Sequence, residues 1–174
     1  MATQGISASR GMNPAGWLLA PMLVCVVATV LLLAPIRIFG LALPQPVFPL
    51  ILAFAWPLIR PSATPPFGLL VMGLILDGAW GGPWGRWPRS QLAAYAAVLA
   101  VRRLIAGNDF VFVWAWFAAA TAVAFLVAFL LVVTTFGTAP NLLALGWQYA
   151  WTCALFPFAH GLIRRYEDAD VRFR

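Results

Sequence analysis

The chain contains no lysine, one histidine, two cysteines and five acidic residues in 174. Each shortage excludes a class of chemistry. A hydrolase needs a nucleophile beside a base or two cooperating carboxylates, and neither is visible here. Cys25 and Cys153 lie in separate apolar runs and the only histidine is His160, so no metal-ligand cluster forms in the sequence and no disulfide framework is implied. Both thiols read as small core residues. His160, near the end of the last run, reads as a packing and helix-dipole residue. No cofactor and no metal are called for.

Charge is scarcer still. Charged residues make up 9% and hydrophobic residues 63%, against roughly 25% charged in an ordinary soluble domain. Such a chain has too little polar surface to dissolve, and the expected class is an all-α polytopic membrane protein. All basic residues are arginines, and they are scattered between apolar runs rather than gathered on one face. The net charge of +6 therefore reads as a topology signal with some attraction to anionic membrane lipid, and nucleic-acid binding is excluded on this ground.

A bilayer core about 30 Å thick takes a helix of about 20 apolar residues. Trp17 to Ala34, Phe110 to Phe136 and Leu142 to Ile163 are long enough; Leu43 to Ile59, Thr64 to Trp80 and Ser90 to Ile105 are marginal. The prolines at 44, 46, 49 and 57 imply kinks whose freed backbone groups need partners. The expectation is a six-helix transmembrane bundle over 17–163, with a disordered cytoplasmic leader at 1–16 and a cytoplasmic tail at 164–174. With both termini inside, the inner segments hold Arg10, Arg60, Arg102, Arg103, Arg164, Arg165, Arg172 and Arg174, and the outer ones only Arg37, Arg86 and Arg89. This follows the positive-inside rule. A re-entrant hairpin formed by the second and third runs is the rival topology, and it moves Arg60 outside.

Small residues mark expected helix contacts: Ala93, Ala96, Ala97 and Ala100 in the fourth run, and Ala120, Ala124 and Ala128 in the fifth. Asp109 reads as the N-cap of the fifth helix. Glu167, Asp168 and Asp170 alternate with arginines in a solvated tail.

One acid stands apart. Asp77 lies inside an apolar run, followed by Gly81-Gly82-Pro83-Trp84-Gly85. A carboxylate near hydrocarbon needs a partner, and the candidates on the outer side are Arg37, Arg86 and Arg89. The expected arrangement is an arginine fork that pins the turn, with glycines supplying tight backbone angles and Pro83 stiffening the exit.

The run Trp56-Pro57-Leu58-Ile59-Arg60-Pro61, then Pro65-Pro66, Gly73 to Asp77 and Gly81 to Gly85 resembles the signature of the MreD family of rod shape-determining membrane proteins. That pattern is an aromatic-Trp-Pro stretch, a Pro-containing loop, and a helix ending in Asp before Gly-x-Pro-Leu-Gly. Trp84 stands where leucine is usual, and the likeness is concentrated in residues 48–105. It implies a non-enzymatic inner-membrane scaffold working with MreC, the MreB filament, and RodA with its paired transpeptidase in lateral peptidoglycan synthesis and cell shape. Trp56, Pro57, Asp77, Gly81, Pro83 and Gly85 are then the motif residues. The family is similar in fold to the substrate-binding subunits of vitamin transporters. The alternative is thus a small-molecule-binding subunit or small transporter, with an outward cavity lined by Asp77, Trp80 and Trp84. Ala20, Ala28 and Ala34 do not build the Ala-x-x-x-Ala face by which such subunits dock.

Overall fold

The computed structural model describes residues 16–31, 37–38, 41–42, 45–59, 62–105 and 107–171. Their regular structure is helical apart from one antiparallel pair of two-residue strands, with turns and short non-helical segments between the elements. The order is α1 (Gly16–Leu31), β1 (Arg37–Ile38), β2 (Leu41–Ala42), α2 (Pro49–Ile59), α3 (Thr64–Trp80), α4 (Arg86–Ile105), α5 (Phe110–Phe136), α6 (Leu142–Ala154) and α7 (Phe156–Val171). Arg37 pairs with Ala42 and Ile38 with Leu41. Residues 1–15 of the expected 1–16 leader, Arg60 and the end of the tail at 172–174 lie outside the described residues, as do the side chains of Arg37 and of 165–171, while Gly16 already belongs to α1.

Helix α2 is the hub. Apart from the indole N–H of Trp56 it has no polar side-chain group, and a helix apolar all round is a buried helix; every residue from Pro49 to Pro57 is buried. Its Leu50, Leu52, Ala53 and Trp56 meet Leu69, Met72 and Leu76 of α3 with Trp87, Ala94 and Tyr95 of α4. On the other side, Ile51, Phe54 and Ala55 meet Val98 of α4, Phe117 and Ala120 of α5, and Phe156 and Ala159 of α7. Phe54 packs edge-on against Phe117, with ring centroids 5.2 Å apart, a preferred geometry for aromatic pairs. On α3 the buried residues Leu69, Met72, Gly73, Leu76 and Asp77 recur at helical spacing, while Phe67, Leu70, Val71, Leu74 and Ile75 point outward.

Several boundaries differ from the sequence expectation. The second run is helical only from Pro49; Gln45 to Val47 are not, and the chain enters α2 through a turn at Phe48. Helix α4 begins at Arg86, one turn before the expected Ser90. Pro88 sits in that first turn, where its missing N–H costs no intrahelical bond. The last run is broken at Leu155, because Pro157 has no N–H for the preceding turn, and α7 then continues to Val171 through part of the expected tail. Among the described residues only α5 is both long and apolar enough to cross a membrane; α1, α2 and α3 are shorter apolar helices.

The alanine stripes differ in use. Ala120, Ala124 and Ala128 of α5 are buried, whereas Ala96 and Ala100 of α4 are exposed and Ala93 and Ala97 half-buried. The buried face of α4 carries Trp87, Gln91, Ala94, Tyr95 and Val98 instead. Asp109 has extended backbone angles at the N-cap of α5 but makes no side-chain cap bond. Asn141 caps α6, its Oδ1 accepting from the N–H groups of Leu143 at 2.9 Å and Ala144 at 3.3 Å.

Candidate functional site

The site is the turn between α3 and α4. Pro65 and Pro66 start α3 and Gly81 ends it in the left-handed conformation, at φ +64°. Gly85, at φ +88°, turns the chain into α4. Both angles favour glycine.

Asp77, on the last turn of α3, organises everything between. Its backbone carbonyl accepts the N–H groups of Gly81 and Gly82. Its carboxylate accepts the N–H of Gly85 through Oδ2 at 2.7 Å and that of Trp87 through Oδ1 at 3.2 Å. The side chain is 1% exposed. Asp77 therefore acts across the turn as the N-cap of α4, and its negative charge meets the positive end of that helix.

For Arg86 and Arg89 this replaces the arginine fork expected from the sequence; the side chain of Arg37, the third candidate, lies outside the described residues. Asp77 makes no ion pair with Arg86 or Arg89; two amides of a helix start take the guanidinium's place. The reason is geometric: α4 starts a turn early, so its first free N–H groups lie above the carboxylate. The Arg86 guanidinium instead lies on the backbone of Gly82, where an added Cβ would fall 2.8 Å from its terminal nitrogen, with its Cζ 5.2 Å from the Trp87 ring centroid. Its Nε is buried without an acceptor. Arg89 is exposed and lies against Gly85.

The hairpin is closed from behind by Gly73. A Cβ there would sit 2.6 Å from Pro88 Cα and closer to Pro88 N, so α3 and α4 touch backbone to backbone one turn from Asp77. Trp56 and Pro57 stand apart from the turn: both are buried at the end of α2, and the Trp56 ring lies 3.4 Å from a Cβ built on Gly68. Pro83 is half-buried and Trp84 is exposed.

Sequence reasoning missed a second set of polar ties. Trp80 Nε1 donates to Gln45 Oε1 at 2.8 Å, Gln148 Nε2 to Gln45 O at 2.9 Å, and Val47 N to Thr152 Oγ1 at 3.1 Å. They fasten the non-helical entry to α2 against α3 and α6. Gln148 and Thr152 are one turn apart within an apolar run, and that spacing was the available signal.

The cavity beside Trp80 has a volume of about 120 Å³ and is also lined by Arg86, Trp87, Phe129, Val132 and Gln148, but by neither Asp77 nor Trp84. Ligand pockets for small molecules usually measure about 300–1,000 Å³. Among the described residues no three His, Cys, Asp or Glu side chains converge as a metal centre requires. His160 packs edge-on against Phe110, with centroids 5.0 Å apart.

Gln91, one turn after Trp87, is fully buried with both amide atoms unpaired. An unsatisfied buried polar group costs about 1–3 kcal/mol. Gln91→Leu is therefore expected to raise the melting temperature of the purified protein by several degrees, read by intrinsic fluorescence. No family model, curated protein or solved structure matches the chain.

Proposed function

We propose that the chain is a non-enzymatic scaffold of a bacterial cell-elongation complex, of the MreD type. It crosses the inner membrane six times with both termini in the cytoplasm, and it joins MreC and, directly or through it, the MreB filament and RodA with its paired transpeptidase. The observation that carries the reading is the Asp77-capped turn, where Asp77, Gly81 and Gly85 of the family-like motif are joined in one hydrogen-bonded unit.

The membrane part rests on which side chains face outward. Leu19, Leu23, Leu31, Phe67, Val111, Leu126, Leu142 and Trp147 are exposed, while Asp77, Ser90, Gln91, Thr121 and Thr152 are buried. An apolar exterior over a partly polar interior suits lipid. Helix α2, about 16 Å long, is too short to span alone. It is enclosed by its neighbours, and non-helical backbone at membrane depth is tolerated where protein satisfies it. The bonds from Gln148 and Thr152 to the Gln45–Val47 segment meet that requirement.

Partner binding is assigned to the apolar groove between α1, α2 and α7, of about 490 Å³, lined by Ala20, Val24, Ala28, Ile51, Leu52 and Phe158. Alanines at positions 20 and 28 of α1 let another backbone approach closely. The occupant is the single membrane-spanning helix of MreC. Ala28→Trp is expected to abolish co-purification of MreC and to round the host cells; unchanged recovery and rod shape would reject the groove. Topology has its own check. A cysteine at the exposed Ser62 should resist an impermeant maleimide applied from outside, and labelling there would reject six spans in favour of the re-entrant hairpin.

A further inference from the structure

We infer that the cavity between the α3–α4 turn and the start of α6 is a binding site for one phosphate group, held by the Arg86 guanidinium beside the indoles of Trp80 and Trp87.

Two donors around this cavity are committed: Trp80 Nε1 and Gln148 Nε2 both donate to Gln45. The neighbouring Asp77 carboxylate is occupied by the N–H groups of Gly85 and Trp87. Two further donors on residues that line the cavity have no acceptor, the buried Nε1–H of Trp87 and the buried Nε–H of Arg86. Arg86 also forms no ion pair with any described acid. A half-buried guanidinium lacking an anion is costly, and its contact with the Trp87 ring offsets only part of that. The cavity of about 120 Å³ exceeds the roughly 30 Å³ share of one water several-fold. That leaves room for a tetrahedral oxyanion, which an arginine fork holds through paired N–H bonds.

The position fits the same chemistry. Trp80 ends α3, Arg86 starts α4, and Pro140 precedes α6, so the cavity lies at helix ends rather than mid-helix. In the proposed topology this is the outer lipid boundary, where phosphodiester headgroups and indoles meet. A phospholipid headgroup and free phosphate offer Arg86 the same oxygens.

The test uses the full chain. Native mass spectrometry of protein released from nanodiscs containing phosphatidylglycerol should find one retained lipid, with at least tenfold weaker retention in Arg86→Gln and no change in Arg103→Gln, a charge loss at the other end of α4. In parallel, inorganic phosphate added in detergent should raise the melting temperature of the wild type but not of Arg86→Gln if the free ion is the ligand. Val132→Phe fills the cavity from α5 and leaves Arg86 and Asp77 in place, and it should abolish whichever binding is seen even if Arg86→Gln folds poorly. Dependence on both Arg86 and the open cavity supports the site, and the responding arm names the source. Binding of neither probe, or equal binding by wild type and Val132→Phe, overturns the inference.

Discussion

Asp77→Ala is expected to lower the melting temperature of the purified protein by about 5–15 °C. The carboxylate accepts two N–H groups, from Gly85 and Trp87, in a site 1% exposed. Each amide left without an acceptor costs about 1–3 kcal/mol, and for a chain of this size each kcal/mol is worth about 2–4 °C. Asp77→Asn keeps one oxygen but points an amide nitrogen at a backbone N–H, so it should lose about half as much or more. Arg89→Gln, at an exposed residue without an ion pair, should stay within about 0.5 kcal/mol of wild type. Losses of equal size in Asp77→Asn and Arg89→Gln would restore the arginine fork as the explanation. Under the proposed scaffold role, Asp77→Ala is also expected to reduce recovery of MreC, because the same turn carries the family-like motif.

The second large effect is at Gly73. Alanine there places a methyl group on the Pro88 backbone, inside 2.6 Å of its Cα, and neither element is a flexible side-chain tip that can swing aside. Overpacking of this kind costs about 1–3 kcal/mol, occasionally more, and Gly73→Val should be worse. The internal comparison is Gly78 on the same helix. It is exposed and meets only the Trp84 ring, at 3.7 Å from a built Cβ. Alanine is about 1 kcal/mol better than glycine in a helix interior, so Gly78→Ala should be neutral or stabilising. Thermal unfolding of the two single variants, measured side by side, separates close helix approach from helix propensity. Equal behaviour would show that α3 and α4 are further apart than described.

What could be read in advance depended on how local the cause is. Helices α3 and α5 fall on their expected limits because their punctuation is local: Pro65-Pro66 opens α3, and Gly81 and Gly137 close α3 and α5 in left-handed conformations. Helix α4 starts earlier than expected because Arg86, Trp87 and Arg89 read as a charged loop, although Pro88 in a first turn is itself a start signal. The partner of Asp77 was misread for the same reason, since a helix that begins at Ser90 offers no amides within reach and leaves only guanidinium groups as candidates. The ties from Gln148 and Thr152 join residues more than a hundred positions apart. No local pattern encodes that pairing, and only the packing of α6 against the entry to α2 creates it. The outward stripe of Ala96 and Ala100 shows the limit of composition: small residues mark a face that permits close approach, not which face is taken.

The central claim is that the Asp77 carboxylate fastens the start of α4 through backbone amides. Amide hydrogen exchange across residues 81–90, compared between wild type and Asp77→Asn in lipid nanodiscs, measures it directly. The account predicts that the variant loses protection at Gly85 and Trp87 by at least tenfold while α5 keeps its own. Unchanged protection at both amides would contradict it.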